Sequence, residues 1–382
     1  MKEAVIVAAR RTPQGRFMGA LARRSAVELA QVAADASLAA ADGGRIDLVI
    51  VGNVLSAGLG MNVARQVGIL AGVPVTAPAF TVNMMCGSGL KAIMLAADAV
   101  RSGTAKVVLC GGTESMSNAA YVMARPRTQA TLGDRSLVDT LLQDGLIDAF
   151  DREHMGLTAE RLAAERGIGR AAQDEFAIES QRRYAAAAAT ATFAAELVPM
   201  DSLTADEHPR PDASAADLAR LRPAFAEGGT VTAGNASGIN DGAAMLVVAA
   251  ADEARRLGWP VLAVIDGQAE IGCEPRHMGL GPVHAVRRLL AHTNRLVADF
   301  DHCELNEAFA AQALACITEL GLDPTRVNPC GGGIALGHPL GATGARLVTH
   351  LAHRIGAGAV RRGLVTLCVG GGMGLAMSLS VP

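Results

Sequence analysis

Four short stretches of the 382-residue chain carry residue types that could do covalent chemistry. They are NMMCGSG around Cys86, NEAF beginning at Asn306, GIALGHPLGATG around His338, and TLCVGGGMG around Cys368. A cysteine becomes a useful nucleophile when its thiolate is stabilised by a helix N-terminus, a nearby histidine, or both. Cys86 stands between an apolar run and the helical spacing Leu90, Ile93, Met94, Ala97, Val100, so it is expected just before a helix N-terminus. His338 lies in a glycine-dense loop, where backbone can approach closely, and can supply the base. A carbonyl under attack also needs donors for its oxygen. The amides of Cys86 and of the Gly370-Gly371-Gly372 run, with a polar side chain such as Asn306, could provide them. A second thiol, Cys368, would be redundant for simple hydrolysis. It makes sense where two proton or acyl transfers occur at adjacent centres.

Each residue also has a plainer reading. Free cysteine is among the most commonly buried residue types, so Cys86 and Cys368 could be filler. Asn306 could cap the helix after it, and His338, before Pro339, could mark a rigid turn. The glycine runs do not make a dinucleotide-binding turn. GxGxxG is absent after a first strand, and no acidic residue follows at the required distance.

The elements that must position these residues alternate between strand and helix, which indicates α/β architecture. EAVIVAA, IDLVIVGNVL, KVVLCGG, AMLVVAA, VLAVIDGQ and GLVTLCVGG read as buried strands. Ser25 and Glu28 form a capping box before an alanine-rich helix. Pro282 fits the first turn of GPVHAVRRLLAH, and Gly321 fits a helix stop. From about Ser117 to Gly238 charges, prolines and isolated helices replace the clean alternation, as in an insertion that could carry ligand contacts. The two halves echo each other: CGSGLKAIMLAADAVRSGTAKVVLCGG overlays GATGARLVTHLAHRIGAGAVRRGLVTLCVGG, with Gly89 on Gly344 and Cys110 on Cys368. That repeat predicts two similar α/β halves whose loops meet at a shared site.

Composition narrows the function classes. The length exceeds one ordinary core, and a net charge of −3 with no basic run speaks against nucleic-acid binding. The N-terminal MKEAVIVAARRTP has no signal-peptide layout, and no apolar run approaches the roughly 20 residues of a membrane span. Seven scattered cysteines without a CxxC pair indicate reduced thiols and a cytoplasmic protein. His350 and His353 lie one helical turn apart without an acidic or cysteine neighbour in sequence, so no metal site is expected.

Taken together the segments resemble the thiolases, the acetyl-CoA acetyltransferases and 3-ketoacyl-CoA thiolases. The resemblance runs from VIVAARRTPQGRFMGAL through VNMMCGSGLKA, GGTESMS, HMGLTAE, LRPAF, TVTAGNASGINDGAA, MGLGP, ELNEAFAAQ and GGGIALGHPLGATG to TLCVGGGMG. It implies a five-layered α/β/α/β/α core: an N-terminal half over 1–117 completed by about 239–260, a loop domain over 118–238 covering CoA, and a C-terminal half over 261–382. It implies Cys86 as acyl-accepting nucleophile, His338 as its activator, and Cys368 as the second acid/base. Asn306 would hold a water at the enolate oxygen, and the amides of Cys86 and Gly370 would form the other oxyanion site. Ala233 and Ser237 match pantetheine contacts, His154, Met155 and Met278 line the CoA tunnel, Leu146 is an adenine-side contact, and Arg210 a phosphate or adenine neighbour. The substrates are acyl-CoA and CoA, with no metal or redox cofactor, no nucleic-acid or membrane partner, and a homodimer or homotetramer.

Three features depart from the family pattern or leave it open. Cys330 stands where asparagine is expected in many relatives, and Thr343 where many have serine. The stretch from Met123 to Leu137, in a neighbourhood used for assembly by tetrameric relatives, has no family signature. His154-Met155-Gly156 resembles the short-chain acetoacetyl-CoA type, while DEHPR and GHPLGATG resemble broader thiolases. Condensation of two acetyl-CoA is the favoured reading and a degradative 3-ketoacyl-CoA thiolase the alternative. A decarboxylating ketoacyl synthase is disfavoured by Cys368 and NEAF.

Overall fold

The computed structural model describes residues 2–41, 45–123, 132 and 134–382. Most of the assembly-related stretch noted above, 124–131 and 133, lies outside the described residues. In chain order the first half runs β1 (Ala4–Arg11), β2 (Gly15–Arg16), α1 (Ala26–Ala40), β3 (Leu48–Gly52), α2 (Val63–Leu70), β4 (Ala79–Val82), α3 (Ser88–Ser102) and β5 (Val107–Ser115). An excursion follows with β6 (Tyr121–Val122), β7 (Val138–Asp139), α4 (Met155–Arg166), α5 (Arg170–Ala189) and α6 (Ala215–Ala219). Then come β8 (Asn240–Ala250), α7 (Ala251–Leu257), β9 (Ala263–Gly272), α8 (Gly281–Thr293), β10 (His302–Leu305) and α9 (Ala310–Leu320). The chain ends with α10 (Gly333–Leu336), α11 (Leu340–Gly356), β11 (Arg362–Val369) and β12 (Met373–Ser380).

Local signals explain the boundaries. Ser25 closes the expected capping box with Glu28, Pro282 opens α8, and Gly321 takes φ +62° to end α9. The strands read as continuous apolar runs because both faces are covered: β8 is buried at all 11 positions.

Five layers follow from the packing. α1 and α2 cover one face of β3, β5 and β8; α3 and α11 fill the space between that face's reverse side and β11 and β12; α8 and α9 cover the far side of the second half. The strands nevertheless form one hydrogen-bonded ladder, in the order β10-β11-β12-β9-β1-β8-β5-β3-β4 with β2 on β8. Three residue pairs join the halves, Ala4 with Ile265, Val5 with Val264 and Ile6 with Ala263. The repeat in the sequence is realised in the central layer. A Cβ on Gly89 would stand 2.7 Å from the Gly341 carbonyl oxygen, and one on Gly344 would stand 2.5 Å from the Leu90 nitrogen. The matched glycines are what let α3 and α11 cross backbone to backbone. Among the described residues the excursion between β5 and β8 adds no strand to the main sheet. It is anchored by Arg11, whose guanidinium reaches Glu196 and Asp206 at 2.7 Å each.

Candidate active site

Cys86 occupies a tight turn between β4 and α3. Met85 before it has φ +48°, a left-handed conformation that a non-glycine residue keeps only when its surroundings enforce it. Here Asn83 Oδ1 accepts from the Met85 amide at 3.1 Å, while Ser88 Oγ accepts from Met84 N at 2.8 Å and donates to the Met85 carbonyl at 2.7 Å. Gly87 lets this turn abut the other half: a Cβ there would lie 2.8 Å from Leu375 and 3.0 Å from Val369. Cys86 is thus held at the seam, half-buried, and faces a cavity of about 550 Å³.

From the second half come His338, Cys368 and Gly370, all lining that cavity. The His338 amide donates to Asn240 Oδ1 at 2.9 Å, and Gly337 (φ +100°) has no room for a Cβ beside Asn240. His338 Nδ1 lies 2.7 Å from Thr343 Oγ1, whose hydroxyl donates to the Pro339 carbonyl at 2.9 Å. A hydroxyl has one proton, so Oγ1 accepts from the ring. The proton therefore sits on Nδ1 and Nε2 keeps a bare lone pair. That Nε2 is buried and has no hydrogen-bond partner among the described residues.

Electrostatics correct one expectation. The helix N-terminus and histidine were expected to favour the thiolate, yet burial pushes the Cys86 thiol up to about 11, against lowering contributions from the Gly370 and Cys86 amides that face the sulfur. Cys368 is raised well above the ordinary thiol value, by burial first and then by Cys86. His338 is lowered to about 3 by burial, with Arg346 adding to it. Burial disfavours every charged form, and it shifts both thiols and the imidazole toward their neutral forms. Glu114 lies beneath, and burial pushes it up to about 7 although it accepts from the amides of Val54, Leu55 and Gly341 and from Asn53 Nδ2.

Asn306 does not cap a helix. The N-cap of α9 is Phe309, and the Asn306 side chain is fully buried, both its polar atoms lacking a hydrogen-bond partner among the described residues. It is also the one expected site residue that is not on the cavity wall.

The residues expected to meet CoA all reach the cavity. Ala233, Ser237, Met278 and Leu146 line it. His154 and Met155 do too, because His154 is the N-cap of α4: its Nδ1 accepts from the Gly156 amide at 3.0 Å. The His154 ring stacks on Phe225 at 4.7 Å, and Phe225 meets Phe309 edge-on. Arg210 is exposed on the cavity wall beside His208. Sequence reasoning did not single out Thr343, Asn240, Glu114, Phe225 or Phe309 as site residues. Several lay inside quoted motifs, and only their partners in space reveal their roles.

The chain is similar to known proteins along its whole length. A thiolase N-terminal domain model matches residues 4–252 and a thiolase C-terminal domain model matches residues 259–381. The chain is 49% identical over all of its length to acetyl-CoA acetyltransferase of Chromobacterium violaceum, itself fully covered. It is 48% identical to a probable acetyl-CoA acetyltransferase of Escherichia coli, with 99% of each chain aligned. Among solved structures, Bacillus anthracis acetyl-CoA acetyltransferase aligns at TM-score 0.97 and 38% identity over 100% of this chain and 99% of its own. Human mitochondrial 3-ketoacyl-CoA thiolase in complex with CoA gives 0.97 and 39% over 100% and 98%. With both domain models filling its length and two thiols and a histidine meeting in one cavity, the chain belongs to the thiolase family.

Proposed function

We propose that the protein condenses two acetyl-CoA to acetoacetyl-CoA and CoA, and catalyses the reverse thiolysis, through an acyl group carried on Cys86. The supporting observation is the meeting of Cys86, Cys368 and a His338 with its Nε2 unprotonated in one cavity. In thiolysis His338 Nε2 takes the Cys86 proton as the sulfur attacks the 3-keto carbonyl. The amides of Cys86 and Gly370 hold the developing oxyanion. The C2–C3 bond breaks, and the enolate of acetyl-CoA leaves while His338 and a water held by Asn306 stabilise its oxygen. Cys368, protonated at rest, delivers a proton to the α-carbon. Its thiolate then takes the proton of an incoming CoA thiol, whose sulfur attacks the acyl-Cys86; the acyl–Cys86 bond breaks and Cys86 regains its proton from His338. Condensation is the same path reversed, with Cys368 removing the α-proton.

The short-chain assignment draws on the relatives named acetyl-CoA acetyltransferase and on the large side chains around the sulfur, with Met85, Met155, Met278 and Phe309 on the wall. The broader 3-ketoacyl-CoA activity is the second reading, favoured by the likeness to the human enzyme. In this scheme residues 118–238 form the cover over CoA, Ser237, Ala233 and Leu146 contact its length, and Arg210 meets its phosphate or adenine end. The scheme requires no metal or redox cofactor. A homodimer or homotetramer fits the outer strand β4, which exposes Phe80 beside exposed Ile69, Leu70 and Val75 of α2 and the following loop. A cytoplasmic location fits seven free thiols, and no described helix is long and apolar enough to cross a membrane. Acetoacetyl-CoA and CoA together should lose enolate absorbance, and acetyl-CoA alone should acetylate Cys86. No turnover at any acyl length, or label on Cys368 only, would refute the proposal.

A further inference from the structure

Away from the cavity, His302 and Glu304 on β10 and His350 on α11 each place one ligand atom so that all three lie within 4.8 Å of one another. All three are buried to 2% exposure or less. The buried Cys330 thiol, the departure noted in the sequence, faces the His350 ring. None of the four lines the cavity, and the acyl-transfer scheme uses none of them. In sequence His350 seemed to pair with His353, but the structure separates them: His353 Nε2 meets the Ala9 carbonyl at 2.8 Å. The partners of His350 come from elements at least twenty residues away.

Two observations point to a cation at this cluster. His350 Nδ1 lies 2.9 Å from Glu196 Oε2, while its Nε2 is buried without a hydrogen-bond partner among the described residues. One ring nitrogen held by a carboxylate with the other left bare is how proteins orient a metal-ligating histidine. Glu196 is itself fixed by Arg11 at 2.7 Å. Glu304 divides its oxygens, with Arg346 on Oε2 at 3.3 Å and His302 Nε2 on Oε1 at 2.7 Å. Oε1 and the His302 nitrogen can turn to one ion without releasing Arg346.

We propose that His302, Glu304, Cys330 and His350 form a buried site for a zinc-class divalent cation. Two imidazole nitrogens, a thiolate and a carboxylate oxygen suit four-coordinate Zn²⁺ and suit Mg²⁺ or Ca²⁺ poorly. Metal–ligand bonds of about 2.0–2.3 Å set neighbouring donors roughly 3.5 Å apart, so the His302, Glu304 and His350 donors, now within 4.8 Å of one another, close by about an ångström. On binding, the Cys330 S–H proton and the second proton that Glu196 and Glu304 favour on the His350 ring pass to solvent, and sulfur–metal and nitrogen–metal bonds form. The ion's two charges then balance the Cys330 thiolate and Glu304, leaving Arg11 and Arg346 against Glu196 and Asp206. The site would tie β10, α11 and the loop before α10 to the Arg11 anchor, as a staple remote from the chemistry.

The test is the full chain expressed in cobalt-supplemented medium, purified without a metal-affinity tag, and then alkylated at Cys86 to remove competition from the cavity. The expected result is about one cobalt per chain, tetrahedral visible bands and a near-ultraviolet thiolate-to-cobalt band, all surviving alkylation. Cys330→Ser should lose the near-ultraviolet band, and His302→Gln should retain less than about a tenth of the metal. Thiolysis activity, measured before alkylation, reports that each variant folds. A parent chain that holds no metal, or a near-ultraviolet band unchanged by Cys330→Ser, overturns the proposal.

Discussion

Thr343→Val removes one oxygen from the site and nearly preserves its shape, which isolates the hydroxyl's effect on His338. Oγ1 accepts from Nδ1 at 2.7 Å and so keeps Nε2 free as the base. Without it the ring either leaves a buried N–H unpaired or moves the proton to Nε2, where it blocks the attack. A buried unpaired donor costs about 1–3 kcal/mol. At 1.36 kcal/mol per decade this converts to a fall of about 5- to 150-fold in kcat. Stability should fall by no more than about 1–3 kcal/mol, the cost of the unpaired ring N–H, because the Pro339 carbonyl keeps the amides of Ala342 and Thr343 at 3.0 Å each. The assay is acetoacetyl-CoA thiolysis, with kcat and KM resolved and a thermal melt run alongside. KM should stay near the parent, and Thr343→Ser should restore most of the rate because it retains the hydroxyl. A valine variant with parental kcat, or a serine variant as slow as the valine one, would refute the reasoning.

Other outcomes follow from the same geometry. With the Cys86 thiol raised to about 11, the thiolate fraction grows with pH, so iodoacetamide inactivation should accelerate about tenfold per unit from pH 7 to 9; a rate flat over that range would mean a preformed thiolate–imidazolium pair. Asn306→Ala breaks no side-chain hydrogen bond, so unfolding in urea should shift by no more than about 1 kcal/mol while thiolysis slows at least about tenfold through loss of enolate stabilisation. Glu114→Gln offers one acceptor oxygen to four N–H donors, and the two left facing an NH₂ group should destabilise the fold by about 2–5 kcal/mol. Gly344→Ala drives a methyl to 2.5 Å from the Leu90 nitrogen, and a lower melting temperature of the whole chain should report the forced separation of α3 and α11.

What could be read from the sequence was set by local pattern or by matched motifs. Contiguous apolar runs marked the strands, and the Gly89–Gly344 echo anticipated a helix crossing that the structure shows at backbone contact. The joining of both halves into one ladder was not legible, since three antiparallel pairs between β1 and β9 depend on how the layers stack. Asn306 illustrates the limit within the site. Its position before an alanine-rich helix invited a capping role, but the helix begins at Ala310 with Phe309 as its N-cap, and the Asn306 amide is fully buried. Thr343 was visible only as a conservative replacement, because which atom its hydroxyl serves depends on the turn of α11. The Cys86 thiol was misjudged for a related reason. A helix N-terminus can be read from spacing, whereas burial between two remote halves cannot, and burial outweighs the amides.

That burial bears on mechanism as well as on prediction. In the proposed mechanism two thiols and a neutral imidazole confront a neutral thioester, so charge appears only as Cys86 attacks and its proton moves to His338. The oxyanion then forms against amides already aimed at the sulfur, in a medium where such dipoles act more strongly than in water. Burial that raises the thiol therefore does not by itself weaken the nucleophile. It defers ionisation to the moment when the base, the oxyanion and the substrate share the charge. Cys368 fits the same logic from the other side, since a thiol kept protonated by burial and by its neighbour Cys86 is an acid ready for the departing carbanion. In condensation that proton must first be lost, and the step that removes it is the one most exposed to any change in cavity polarity.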